Sequence, residues 1–196
     1  MSESERRFEI RLSGSGGQGL MLAGLLLAEA AAVWDGKNVV QTESYGPEAR
    51  GGKSKSDVVI SGSEIDYPKA TVVDVLLAMT QASLDEYLRS LKEDGLLVVD
   101  SYLVDRVDRK GAIKIPFTTL AIEECGRKLF ANVVALGAIA ELSGVVRWES
   151  LRSAVLGRVP KGTEQVNEKA LEVGREAARR ALQAGPGGTD LPHDQA

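Results

Sequence analysis

Hydrophobic and polar residues follow periods that predict alternating strands and helices. Residues 8–13 alternate apolar and polar side chains, which is typical of a strand. Residues 20–34 are apolar almost all round and rich in Ala and Leu, which favours a buried helix. Further strands are predicted at residues 38–44, 56–62, 71–80, 96–101 and 111–117, and helices at residues 82–92, 118–143, 148–157 and 163–183. This alternation predicts an α/β fold: a single Rossmann-like domain with a mostly parallel sheet flanked by helices.

Residues that interrupt helices and strands refine this prediction. We expect Asp94-Gly95 to form the turn before the strand that starts at Leu96, and the helix at 118–143 to break near Gly126. The C-terminal helices should pack on the sheet rather than form a second domain. We therefore expect one domain over residues 1–184 and a disordered, Gly/Pro-rich polar tail over residues 185–196.

Composition narrows the class of protein. The 196 residues are 43% hydrophobic and 27% charged, with a formal net charge of −4, as in a globular domain without a basic surface for nucleic acid. The first residues lack the basic-then-apolar order of a signal peptide. The apolar run at residues 20–33 contains Glu29 and is too short to span a bilayer. We expect a cytoplasmic protein that binds neither nucleic acid nor membrane.

The residues that usually carry chemistry are scarce. Cys125 is the single cysteine, so this chain cannot build a four-thiolate iron–sulfur or zinc site. His193 is the single histidine and lies in the polar tail. These counts argue against histidine-based acid–base or triad chemistry within the chain.

A glycine-rich turn lies between the first strand and the first helix. In "GSGGQG", Gly14, Gly16 and Gly19 have the spacing of a dinucleotide-binding turn. Gly14 would allow the tight turn, Gly16 close backbone approach to a ligand, and Gly19 contact between helix and strand. Helix amides would favour an anion, with Gly17 backbone nearby and the Gln18 side-chain amide as an additional donor.

The dinucleotide interpretation also requires an acid at the end of the second strand to bind ribose hydroxyls. Glu43 lies near that position. The turn alone leaves three interpretations open: a dinucleotide, another phosphate ligand, or tight packing without any ligand.

A second glycine-rich loop follows the second strand. Its candidate residues are an aromatic side chain, an acid, a fixed positive charge and two glycines: Tyr45, Glu48, Arg50, Gly51 and Gly52. In a parallel sheet this loop should emerge at the same edge as the first turn. Arg50 could bind a carboxylate or phosphate through two parallel hydrogen bonds, or it could form an ordinary surface ion pair.

These motifs together resemble a known family. "GSGGQG", "SYGPEARGG", "SDVVIS" and "VDVLLAMTQ", in this order, are similar to the gamma subunit of the 2-oxoacid:ferredoxin oxidoreductases. The resemblance covers about residues 8–183, within the pyruvate/ketoisovalerate oxidoreductase group, and the second loop favours the 2-oxoglutarate or pyruvate branch.

The resemblance implies a function that this chain cannot perform alone. It implies CoA-dependent oxidative decarboxylation of a 2-oxoacid, with 2-oxoglutarate favoured, to an acyl-CoA, with electrons passed to ferredoxin. It also implies that alpha and beta subunits, and a delta subunit where one exists, hold the thiamine diphosphate, Mg and iron–sulfur clusters. This chain would bind no cofactor alone. Its two glycine-rich loops would face the active site and CoA, with no catalytic residue or metal ligand of their own.

Two other functions remain open at this point. One is a free-standing dinucleotide-binding oxidoreductase that uses the GSGGQG turn and Glu43. The other is a scaffold whose glycine turns only pack against a partner.

Overall fold

The computed structural model describes residues 6–46 and 52–185. Within these residues, six strands form one sheet in the order β2-β3-β1-β4-β5-β6. The strands are β1 (Phe8–Ser15), β2 (Asn38–Tyr45), β3 (Lys53–Ser61), β4 (Val73–Ala78), β5 (Leu91–Asp100) and β6 (Ile113–Ile115). β3 is antiparallel to β1 and β2, while the pairs β1–β4, β4–β5 and β5–β6 are parallel. The predicted α/β class and mostly parallel sheet are confirmed.

Helices cover both faces of this sheet. They are α1 (Leu20–Glu29), α2 (Gln81–Tyr87), α3 (Phe117–Cys125), α4 (Ala131–Ser143), α5 (Trp148–Arg158) and α6 (Glu164–Ala184). α1 continues as a π-helical turn at Ala30–Trp34, so the predicted helix at residues 20–34 is confirmed. Gly126 ends α3 with a left-handed φ of 79°, which confirms the predicted break. No helix of the described residues is long and apolar enough to cross a membrane.

The helices divide unequally between the two faces. One face of the sheet packs against α1, α3, α4, α5 and α6 in the larger hydrophobic cluster, and the other packs against α2 in a smaller one. The C-terminal helices therefore pack on the sheet, as expected. α4 and α6 cross closely because Gly137 and Gly174 lack side chains: a Cβ at Gly174 would lie 1.8 Å from the Val134 carbonyl oxygen.

One local prediction is wrong. Asp94-Gly95 is not a turn before a strand but lies inside β5, which starts at Leu91. The pairing of β4 with β5 shifts register between Val73 and Val75, so the strand absorbs this segment as an irregularity. The paired residues pass from Val73–Leu91 directly to Val75–Leu96, so Asp94 and Gly95 lie in the irregularity and have no partner on β4.

A buried ion pair joins β1 to the antiparallel strand β3. Arg11 lies opposite Asp57 in the register, and its Nε and a terminal nitrogen donate to the two carboxylate oxygens at 2.7 and 2.9 Å. The Lys55 ammonium donates to the same carboxylate at 2.6 Å, and the Tyr87 ring lies 5.2 Å from the Arg11 guanidinium. A one-residue slip would move these charges to the opposite face, so the ion pair specifies the register.

Candidate functional site

The β2–β3 hairpin brings the two glycine-rich loops to the same edge of the sheet. Ser15, at the end of β1, lies opposite Lys53, and Tyr45, at the end of β2, lies opposite Ser54. Beyond the strands, the Gly16 amide donates to the Gly52 carbonyl at 2.8 Å. The first turn and the base of the second loop therefore form one continuous rim, which we call the glycine rim: residues 14–19 together with Tyr45 and Gly52.

Each end of the glycine turn has a distinct steric requirement. A Cβ at Gly14 would lie 2.2 Å from the Gln18 Oε1 and 3.0 Å from the Met79 Cβ, so the end of β1 has no space for a side chain. Gly17 and Gly19 have positive φ angles of 90° and 74°, which L-residues rarely adopt. A Cβ at Gly17 would meet no atom within 4 Å, so this glycine faces open space.

Gln18 serves the turn itself. Its Oε1 accepts from the Ser15 amide at 2.8 Å, and its Nε2 lies 3.5 Å from the Met79 carbonyl oxygen. The Gln18 side-chain amide, which the sequence predicts to be a donor to a ligand, thus connects the ends of β1 and β4. Its oxygen is committed to the Ser15 amide, and its nitrogen makes only a long contact.

Asn132 supports the turn from α4, and sequence reasoning did not identify it. Its Nδ2 donates to the Gly19 carbonyl at 3.1 Å, while its Oδ1 accepts from the Val133 amide at 2.9 Å. The available signal was a lone carboxamide in the otherwise apolar "ANVVALGAIA".

The helices that follow β1, β4 and β6 differ in how their N-termini are satisfied. α1 begins at Gly19 without a side-chain cap. α2 is capped by Thr80, which forms a reciprocal capping box with Ser83. α3 is held by Asp100 at the end of β5: its carboxylate accepts from the Thr118 hydroxyl at 2.5 Å and the Thr118 amide at 3.4 Å.

Asp100 is also the buried acid of this edge. Burial raises the pKa of this carboxyl group above its ordinary value, although hydrogen bonds from Thr118 and Tyr102 act in the opposite direction. Its side chain is fully buried and its oxygens have partners within the fold. Asp100 therefore anchors α3 and offers no free acceptor at the rim.

The second loop is described only at its base. Tyr45 is 68% exposed at the end of β2. Lys53 donates to Glu86 at 2.7 Å, and this hydrogen bond holds the pKa of the Glu86 carboxyl group below its ordinary value. The predicted residues Glu48, Arg50 and Gly51 lie outside the described residues.

The geometry of β2 argues against a conventional dinucleotide site. The ribose-binding acid of such a site follows a strand adjacent to β1, but here β3 lies between β1 and β2. Glu43 is therefore two strands away from β1, roughly 10 Å in the sheet. It also accepts a hydrogen bond from Gln41 at 3.0 Å.

The side chains that the structure describes do not fit an iron–sulfur cluster or a metal ion. Cys125 is the single thiol, it is only half-buried, and burial raises its pKa. Across residues 6–46 and 52–185, no three His, Cys, Asp or Glu side chains group as metal ligands. An iron–sulfur cluster needs several thiolates, and this chain has one.

Comparison with known proteins identifies the family. Residues 9–183 match the pyruvate ferredoxin/flavodoxin oxidoreductase family. The chain belongs to this family. It is similar to the 2-oxoglutarate synthase subunit KorC of Methanocaldococcus jannaschii, with 49% identity over 178 residues that cover 88% of this chain and 95% of that protein. The resemblance inferred from the glycine motifs is confirmed.

Solved structures of oxidoreductases have the same fold. A keto/oxoacid ferredoxin oxidoreductase gamma subunit from Geobacter sulfurreducens PCA superposes with a TM-score of 0.83 at 47% identity, covering 90% of this chain and 98% of that one. A 2-oxoglutarate:ferredoxin oxidoreductase from Magnetococcus marinus, with 2-oxoglutarate, coenzyme A and succinyl-CoA bound, superposes with a TM-score of 0.79 at 24% identity. That match covers 90% of this chain but 32% of the larger one, and it demonstrates the fold alone.

Proposed function

We propose that this chain is the gamma subunit of a cytoplasmic, multi-subunit 2-oxoacid:ferredoxin oxidoreductase that converts 2-oxoglutarate and CoA to an acyl-CoA. The observation that carries the proposal is the 49% identity, over nearly the whole of both chains, to a 2-oxoglutarate synthase subunit. The chain is an oxidoreductase subunit that needs partners for activity. Alpha and beta subunits, with delta where it exists, would hold thiamine diphosphate, Mg and the iron–sulfur clusters, and would pass electrons to ferredoxin.

Within that complex, we assign the glycine rim to the contact with CoA. Gly17 presents exposed backbone without a side chain, and α1 begins beside it without a side-chain cap. The first amides of a helix have no partner within the helix and favour an anion such as a CoA phosphate. Tyr45 and Gly52 of the rim would continue into the second loop, in which Glu48, Arg50 and Gly51 complete the contact. Arg50 would bind a phosphate or a partner subunit.

Purification of the tagged chain from its host under anaerobic conditions tests the function. We expect larger subunits that carry thiamine diphosphate and iron–sulfur clusters to copurify. We also expect the complex to reduce ferredoxin with 2-oxoglutarate only when CoA is present, and more slowly with pyruvate or 2-oxoisovalerate. A chain that purifies alone with bound NAD or FAD would contradict the proposal.

The rim assignment has its own test. Arg50→Ala should raise the KM for CoA in an intact complex by about tenfold, because a charged hydrogen bond to phosphate contributes roughly 1.5 kcal/mol. Arg180→Ala, on the exposed part of α6, is the matched control and should leave the KM unchanged. An unchanged KM in the Arg50 variant would remove its ligand role.

A further inference from the structure

Asn132 stands out as a buried carboxamide in an apolar helix. Ten consecutive residues of α4, Ala131–Ala140, are buried, and Asn132 is the only member of that run with a polar side chain. It is 5% exposed. Burying a carboxamide is unfavourable unless both of its ends form hydrogen bonds, and an aliphatic residue would avoid this cost. The position therefore requires an explanation beyond packing.

Both ends of the Asn132 carboxamide form hydrogen bonds. The Oδ1 accepts from the Val133 amide at 2.9 Å, so the Nδ2 points away from α4 and donates to the Gly19 carbonyl at 3.1 Å. The same carbonyl accepts from the Ala23 amide at 3.0 Å, the first hydrogen bond of α1. The Gly19 carbonyl oxygen is thereby held by two donors, one of them from a helix more than a hundred residues away.

Holding this carbonyl also orients the next amide. In a trans peptide the C=O of Gly19 and the N–H of Leu20 point in opposite directions. The carbonyl points into α1 and toward α4, so the Leu20 amide points out of the first helical turn toward the glycine rim. Gly19 leaves room for the arrangement, because a Cβ there would lie 2.5 Å from the Asn132 Nδ2.

We infer that Asn132 is a positioning residue, which holds the Gly19–Leu20 peptide so that the glycine rim keeps the shape that binds CoA. This inference rests on the proposed function. Asn132 touches no reacting atom: it acts through the backbone of the turn. Its loss should therefore weaken CoA binding while leaving the chemical step in the partner subunits unaffected.

The chain provides a closely matched control in Asn167. This residue is also 5% exposed, and its Nδ2 donates at 2.8 Å to the carbonyl of Thr163, the N-cap residue of α6. Asn132 makes the same kind of bond to the N-cap residue of α1. The two asparagines differ in that Asn132 donates from α4 to the distant glycine turn, whereas Asn167 donates to the carbonyl and hydroxyl of the residue four positions before it.

Steady-state kinetics of the assembled complex test the inference. Asn132→Asp replaces the donor by an oxygen of similar size, and Asn132→Ala removes the group without introducing a charge. We expect both to raise the KM for CoA by about fivefold to tenfold, the effect of one hydrogen bond, with kcat changed less than about twofold. Asn167→Asp and Asn167→Ala should leave the KM for CoA at the wild-type value.

Each outcome decides the question. An unchanged KM in either assembled Asn132 variant would overturn the inference, as would equal increases in the Asn132 and Asn167 variants. Failure of both Asn132 variants to assemble, while both Asn167 variants assemble, would assign Asn132 to folding and overturn it too. A wild-type complex without CoA-dependent 2-oxoacid oxidation would instead contradict the proposed function, and the role of Asn132 toward CoA with it.

Discussion

The β1–α1 and β6–α3 junctions lie on the same edge of one sheet and satisfy the N-termini of their helices differently. At β6–α3, the buried carboxylate of Asp100, which ends the neighbouring strand β5, accepts hydrogen bonds from the hydroxyl and the amide of Thr118. At β1–α1, glycines replace side chains, and α1 begins without a side-chain cap. The α3 terminus is satisfied by carboxylate oxygens of the protein, while the α1 terminus has no side-chain cap and lies beside exposed backbone. A junction completed by side chains stabilises the fold, whereas the proposed contact with CoA requires backbone that no side chain covers.

The largest expected effect comes from breaking the completed junction. Asp100→Ala should lower the free energy of unfolding by about 2–4 kcal/mol, because the Thr118 hydroxyl and buried amides lose their acceptor. Chemical denaturation of the purified chain measures this loss. Asp94→Ala, at an exposed position of the same strand, should cost little. A loss for Asp100→Ala as small as that of the control would show that the junction is not anchored by this carboxylate.

The difference in unfolding free energy between the wild type and Asp100→Ala should change with pH in a defined direction. Burial raises the pKa of Asp100 in the folded chain above 3.8, so the folded state binds the proton more tightly than the unfolded state. Wild-type stability relative to Asp100→Ala should therefore increase as pH falls from 7 through the folded pKa toward 3.8. Denaturation at several pH values measures the difference. If the stability of the wild type relative to Asp100→Ala decreased as the pH fell, this would contradict the raised pKa.

Alanine substitutions of two glycines should distinguish an effect on stability from an effect on CoA binding. Gly17 and Gly36 have positive φ angles of 90° and 69°, and a Cβ at either would meet no atom within 4 Å. Alanine at each should therefore cost a similar amount, about 1–2 kcal/mol, for the left-handed backbone. Only Gly17→Ala should also raise the KM for CoA in the complex, because Gly17 lies on the glycine rim and Gly36 precedes β2. Equal KM values for the two variants would argue against ligand contact at Gly17.

The smallest effect is expected at the capped β4–α2 junction. Thr80→Ala should lower the free energy of unfolding by about 1 kcal/mol through loss of the N-cap, while Thr80→Ser should retain most of the stability. Thermal or chemical denaturation distinguishes the two. Neither variant should change the KM for CoA, since the cap serves α2 alone. A raised KM for CoA in Thr80→Ala would indicate that the β4–α2 junction also takes part in CoA binding.

Much of the site was predictable because glycine has local consequences. The spacing of Gly14, Gly16 and Gly19 indicates a tight strand–turn–helix junction, and the structure contains one. Gln18 was identified, but its commitment to Ser15 and Met79 was not, because that depends on the position of β4. Asn132 was missed because it lies far along the chain in a segment that is otherwise a plain apolar helix.

Periodicity was sufficient for the α/β class and most of the helices and strands, because each depends on residues close together in the chain. The family followed from the resemblance of the glycine-rich motifs to known proteins. Three features became visible only in the tertiary structure. They are the antiparallel insertion of β3, the position of Asp94-Gly95 inside β5, and the hydrogen bond from Asn132 to the Gly19 carbonyl. The Arg11–Asp57 pair spans 46 residues and the Gly19–Asn132 contact spans 113. No local period encodes contacts of that separation, because they form only when folding brings distant segments of the chain together.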